Sequence, residues 1–374
     1  MITWRAGVVV SLGATWPGSA EVTVELEAPV GTATAGDTVR ALAFPALVGS
    51  PEIGDRVLLN VSALARGLGT GGYALVIAQP ERTPADPPPG PGHLVKARYT
   101  PLQAMVLGVD DQESPHHELL READDLGGLP VVVADLHSAL PAVVAGARLA
   151  AQRAGRRAPR VAYVMTDGGA LPAWFSRTVA GLRSAGWIEA CVTTGQSFGG
   201  DLEAVTVHTG LLAARHVVGA DLVVVAQGPG NLGTGTRWGF SGVAAGEAVN
   251  AASTLGGRPV ASLRVSGADE RERHLGISHH SLTAYGRVAL ATADVVVPVF
   301  DAGPLDGLGS RVAAQAAALG ARHRLVEVAA GADVLGALGD SPVRLSTMGR
   351  GLADDPGSFL AAAAAGVHAA ELAG

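Results

Sequence analysis

The chain has 374 residues, 48% hydrophobic and 16% charged, which is enough apolar matter for two cored domains and too little charge for a disordered chain. A formal charge of −7 leaves no basic footprint for nucleic acid. One cysteine, Cys191, excludes an internal disulfide and a thiolate-rich metal centre.

Residues 1–78 hold short β-type runs: AGVVVSL, AEVTVELE, TVRALAF, DRVLLNV and YALVIA. Turn residues separate them, at Gly54–Asp55 and across Gly67 to Gly72. That spacing predicts a small all-β, barrel-like domain. The N-terminal apolar run has no cleavable signal pattern, and no stretch reads as a membrane span, so a cytoplasmic protein with no membrane partner is expected. Residues 79–92 are proline-rich, which predicts a stiff, extended linker.

From 93 to 374 strand-like and helical stretches alternate. The strand-like runs are AMVLGVD, LPVVVAD, RVAYVMTD, EACVTT, DLVVVAQ, RPVASLRV, ADVVVPV and RLVEV. They are apolar without alternation, as strands covered on both faces are. The fold class expected here is α/β, a mostly parallel doubly wound sheet with right-handed crossovers. DPGSFLAAAAAGVHAAELAG predicts a terminal helix.

Ligands of open α/β sheets bind outside the carboxyl ends of the strands. The runs end in Asp110 and Asp111, Asp135, Asp167, Thr193 with Thr194 and Gln196, Gln227, and Arg264 with Ser266. If the strands are parallel, these groups gather on one edge. Several carboxylates there would suit a hard cation, although aspartates and hydroxyls also cap helices and build turns.

The loop after the DLVVVAQ run is QGPGNLGTGT. Gly228, Gly230 and Gly233 match G-x-G-x-x-G. Pro229 and the following TGTRWGFSG delay the helix, and no acidic residue closes the next strand, so NAD and FAD are not expected. No lysine follows as in a Walker A loop. The remaining reading is an anion-binding loop of backbone N–H groups with Asn231, Thr234 and Arg237, fit for phosphate or carboxylate. A tight glycine turn without a ligand is the alternative.

His137-Ser138, His208-Thr209 and His280-Ser281 each precede an apolar helical stretch, with the hydroxyl expected as the N-cap. RERHLGISHHS gathers His274, His279 and His280. Imidazoles meeting strand-end carboxylates would suit Zn²⁺ or Mn²⁺, or a general base. The expected metal ligands are Asp135, Asp167, His279 and His280. The expected catalytic groups are Asp135, His137, Asp167 and His280. Substrate would meet Thr194, Gln227, Gly228, Gly230, Asn231, Gly233, Thr234, Arg237 and Arg264.

The loops TTGQSFGGDLEAV, QGPGNLGTGT and GISHHSLTA, with EIGDRVLLN and GLGTGGYALVIA before the linker, resemble an uncharacterised bacterial family, domain of unknown function 3866. The resemblance covers nearly the whole chain and implies a two-part architecture, without a reaction or cofactor. A looser likeness links the GGDLEAV and GPGNLGTGT loops to the B-component proprotein subunits of glycine reductases. Those subunits rely on an internal cysteine that becomes a pyruvoyl group, and Cys191 lies in a strand context. Two functional readings follow. One is an enzyme acting on a small anionic substrate by metal-dependent hydrolysis or transfer. The other is a non-catalytic metabolite sensor or assembly factor. Homo-oligomerisation stays open.

Overall fold

The computed structural model describes every residue except Thr70, which falls inside the turn expected between Gly67 and Gly72, and Ala302. The chain divides into two compact units. One comprises residues 1–91 with 99–104, the other 92–98 with 105–374.

The first unit is a closed barrel of β1 (Trp4–Trp16), β2 (Ser19–Leu26), β3 (Thr38–Ala43), β4 (Arg56–Asn60) and β5 (Ala74–Ala78), in the order β1-β2-β3-β5-β4. Only β3 and β5 pair in parallel. Alternate residues point inward, so Val22, Val24 and Leu26 of β2 meet Val57 and Leu59 of β4 in one core. Closure removes the free edges that short strands would otherwise expose. A single helical turn, α1 (Pro45–Val48), connects β3 to β4.

Two short strands, β6 (Leu94–Lys96) and β7 (Ala104–Val106), and the turn α2 (His117–Leu120) lead into the second unit. Its centre is an eight-stranded, all-parallel sheet. The strands are β8 (Pro130–Val133), β9 (Val161–Thr166), β10 (Ala190–Thr193), β11 (Leu202–Glu203), β12 (Leu222–Gln227), β13 (Arg258–Ser262), β16 (Asp294–Val299) and β17 (Arg324–Ala329). Their order is β11-β10-β9-β12-β8-β13-β16-β17. Between β13 and β16 the chain forms a small antiparallel ribbon, β14 (Val265–Ser266) with β15 (Gly276–Ile277). A second ribbon pairs β18 (Ser346–Thr347) with β19 (Arg350–Gly351).

The expected run AMVLGVD does not join the sheet as a full strand. Gly108 weakens it, and the contact shrinks to a single bridge between Gly108 and Glu203. The eighth strand is Leu202–Glu203 instead.

Helices cover both faces. α3 (Leu140–Arg153), α4 (Arg177–Ser184), α9 (Ala332–Gly339) and α10 (Pro356–Leu372) share one core with Val132, Tyr163 and Val224. α5 (Val207–His216), α6 (Ala244–Thr254) and α8 (Asp306–Ala316) share the other with Val131, Val164 and Val223. The terminal helix is not peripheral: α10 is buried from Phe359 to Ala370. It crosses α3 so closely that a Cβ at Gly366 would collide with the Val143 carbonyl, and one at Gly146 with that of Ala363. Among the described residues no helix is long and apolar enough to cross a membrane.

This topology fixes where a ligand can enter. The chain leaves β8 toward the β11 edge, through α3, and leaves β12 toward the β17 edge, through α6 on the opposite face. β8 and β12 are neighbours. The reversal falls between them, which opens a crevice at their carboxyl ends.

Candidate functional site

Asp135 and Gln227 stand at that crevice, just after β8 and at the end of β12. Asp135 is buried, and its Oδ2 has no hydrogen-bond partner among the described residues. Burial raises its carboxyl to about 6, against the pull of the Arg264 guanidinium. Gln227 fixes the crevice wall: its Nε2 donates to the Asp135 carbonyl at 2.7 Å and to Asn231 Oδ1 at 2.9 Å. Gln227 Oε1 is also buried without a partner among the described residues. Gly242, just ahead of α6, lies so close to Asp135 that an added Cβ would sit 2.9 Å from its carbonyl oxygen. The space beside Asp135 and Arg264 is about 20 Å³, room for a water or one reacting atom.

His137 is committed elsewhere. Its Nδ1 lies 3.0 Å from the Tyr163 hydroxyl and its Nε2 2.8 Å from Ser176 Oγ. Tyr163 donates its own proton to the Gln227 carbonyl, and Ser176 accepts from Val179 N–H as the cap of α4. His137 Nδ1–H must therefore donate to tyrosine, and Nε2 must accept from serine. Burial holds this imidazole down at about 4. It is a neutral relay under α4 with no free lone pair. Asp167 is exposed, and its Oδ2 accepts from Gln196 N–H at 2.8 Å, where a Cβ at Gly195 would collide with it. Thr194 is buried against Met165, 3.4 Å from its carbonyl.

The glycine loop is an arm folded on itself. Leu232 and Ser241 exchange bonds at 3.0 Å each, and Thr234 N–H donates to the Gly239 carbonyl at 2.7 Å. Thr236 Oγ1 accepts from Gly239 N–H. The Leu232 and Thr234 donors are thus spent inside the hairpin, and Gly228 N–H on the Thr166 carbonyl. Gly228 packs closely and Gly230 turns the chain. A Cβ at Gly228 would sit 2.5 Å from the Ala170 carbonyl, and Gly230 has φ +86°. Arg237 and Trp238 are exposed on the arm.

Below the arm, Phe240 stacks flat on His280 with ring centroids 3.9 Å apart. His274, His279 and His280 form one cluster, with centroids at 4.9, 5.0 and 4.4 Å. The hydroxyls beside the histidines are not the caps. Ser278, in extended backbone one residue before α7 (His279–Thr283), accepts from His280 N–H, and Thr206 caps α5. Ser278 thereby also reaches His274 Nδ1 at 2.8 Å. Ser281 Oγ accepts from Arg264 N–H, and Ser138 bonds Thr347.

Arg264 joins the two halves. Its Nη1 lies 3.1 Å from His280 Nδ1, and Asp135 is the largest opposing charge on it. Neighbouring guanidinia are tied down: Asp269 holds Arg271 at 2.9 Å and Arg350 at 3.3 Å, and Asp355 holds Arg350 as well. Asp135, Gln227, Arg264, His280 and Phe240 thus form one connected locus; His137 reaches it only through Tyr163 and the Gln227 carbonyl, while Asp167 and Thr194 bond to other partners. Phe240, Ser278 and Asp269 are the contributors that sequence reasoning missed. The aromatic directly ahead of α6 was the one usable signal.

The model of the family described as "Protein of unknown function (DUF3866)" matches residues 40–366. The chain belongs to DUF3866. No curated protein and no solved structure matches it, so the likeness to glycine reductase subunits gains no support. Cys191 argues the same way, since burial pushes its thiol well above the usual range and keeps it protonated. In this DUF3866 chain the family match spans part of the barrel and nearly all of the α/β unit.

Proposed function

We propose that this DUF3866 chain is an enzyme that hydrolyses or transfers a group on a small phosphate- or carboxylate-bearing substrate at the β8–β12 crevice. Asp135 is the acid–base group, and Arg264 anchors the anion. One observation carries the reading: a buried carboxylate oxygen with no partner among the described residues, at a topological switch point, facing a guanidinium that does not close on it. Unpartnered buried charge is costly and is concentrated at functional sites. A carboxyl near 6 can take a proton from water at neutral pH and return it. Arg237 and Arg273 at the exposed rim favour an anionic substrate.

The test is a panel of sugar monophosphates, nucleoside phosphates and short carboxylic acids. Binding is read by thermal shift and turnover by NMR. A true ligand raises the melting temperature of the native chain and not of Arg264→Gln, and Asp135→Asn binds it without turning it over. An anion that stabilises Arg264→Gln equally, or turnover at the native rate in Asp135→Asn, removes the proposal.

A further inference from the structure

We propose that His274, His279 and His280 form a three-imidazole centre for a divalent transition metal, zinc foremost, with a fourth position left for water or the substrate anion. The inference rests on the enzymatic reading above and deepens it, because the centre adjoins Arg264.

Three features support it. The first is spacing. Zinc binds imidazole nitrogen at about 2.0–2.1 Å, so three tetrahedral ligands put their ring centroids roughly 5 Å apart. The observed separations are 4.9, 5.0 and 4.4 Å, and one nitrogen from each ring falls within 4.8 Å of the others. The second is an orphan: His279 Nε2 is buried and has no hydrogen-bond partner among the described residues. The third is the surrounding shell. Ser278 engages His274 Nδ1, which leaves Nε2 as the ligand atom, and Phe240 fixes the plane of His280. The expected carboxylate ligands are replaced: Asp135 and Asp167 do not belong to the cluster.

Metal loading has a consequence for Arg264. A neutral imidazole has one lone pair, and a guanidinium can only donate. Arg264 therefore holds the His280 Nδ1 lone pair now. A metal either takes that lone pair or moves the ring proton onto Nδ1. In both cases Arg264 loses its acceptor and is released toward Asp135 or an arriving anion. The bound metal would polarise a substrate oxygen or activate water.

The experiment uses the full chain, stripped with chelator and titrated with cobalt(II) alone. We expect one cobalt per chain, with visible d–d bands of the intensity that four-coordinate nitrogen ligation gives. His279→Ala removes a ring whose Nε2 is unbonded, so the fold survives, and cobalt affinity falls at least about 100-fold, the upper end of what altering even a supporting partner does. His208→Ala, on α5, binds as the native chain does. Asp135→Asn keeps the cobalt spectrum. No cobalt bands in the native chain, or undiminished binding in both His279→Ala and His274→Ala, overturns the inference. Loss of cobalt in Asp135→Asn also overturns it, because the ligand set is then different. Cobalt binding by the triad with no anion dependence on Arg264 would sink the enzymatic reading and leave the metal centre standing.

Discussion

Asp135→Asn makes the sharpest test, because function and stability should move in opposite directions. The carboxyl is fully buried and held at about 6 in place of 3.8. That value already includes the attraction of Arg264, so ionised Asp135 costs the fold a net free energy. Roughly two units at 1.36 kcal/mol each is about 3 kcal/mol. The sign follows from proton linkage. The folded chain binds the proton more tightly than the unfolded chain, so this group's contribution is fully present below about pH 4 and lost as pH rises through about 6. Asparagine mimics the neutral form at every pH. We expect Asp135→Asn to gain up to about 3 kcal/mol over the native chain at pH 8, about half of that at pH 5 and nothing near pH 3.5. An amide donor left without a partner would reduce each value by about 1 kcal/mol. Urea unfolding of the second unit, followed by tryptophan fluorescence at the three pH values, reads the difference. A destabilised variant at pH 8, or a gain independent of pH, would refute the argument that Asp135 is kept charged at the expense of stability.

Other outcomes are equally specific. Lys96→Met strands Glu203 without its cation, 3.5 Å away in the buried pair, and should cost about 3–5 kcal/mol in urea unfolding, with partial rescue by Glu203→Gln. Gly366→Val should drive α10 off α3 and lose about 3 kcal/mol or more, seen as a lower melting temperature; an unchanged melting temperature would contradict the close crossing. Phe240→Ala uncovers the His280 ring, so modification of that histidine by diethylpyrocarbonate should speed up, as peptide mapping would report. Cys191, 2% exposed, should react with a thiol reagent only as fast as the native chain opens.

The doubly wound sheet was legible because most of its valine-rich runs lack alternation, as strands covered on both faces do. The barrel was legible from its spaced β runs. The gathering of Asp135, Gln227 and Arg264 at one edge followed from the strands being parallel. What escaped was set by three-dimensional competition for hydrogen bonds. Nothing in the sequence says that Thr234 would spend its N–H on Gly239, or that Tyr163 and Ser176 would use up His137. Helix starts slipped for a similar reason: Ser278 and Thr206 lie earlier in the chain than the hydroxyls paired with histidine and reach the free N–H groups first. Three histidines in seven residues were visible, but their partner Phe240 comes from a distant segment.

Lys96 is the chain's one lysine. It is sealed in the second unit, where its Nζ donates to the carbonyls of Ser197 and Ala204 at 2.9 Å each. Across these residues the native molecule therefore offers amine-directed reagents no exposed lysine. Acylating labels and lysine-specific proteases reach Lys96 only when the β10–β11 margin breathes. A mass spectrum taken over time would then count those openings directly, with no engineered probe.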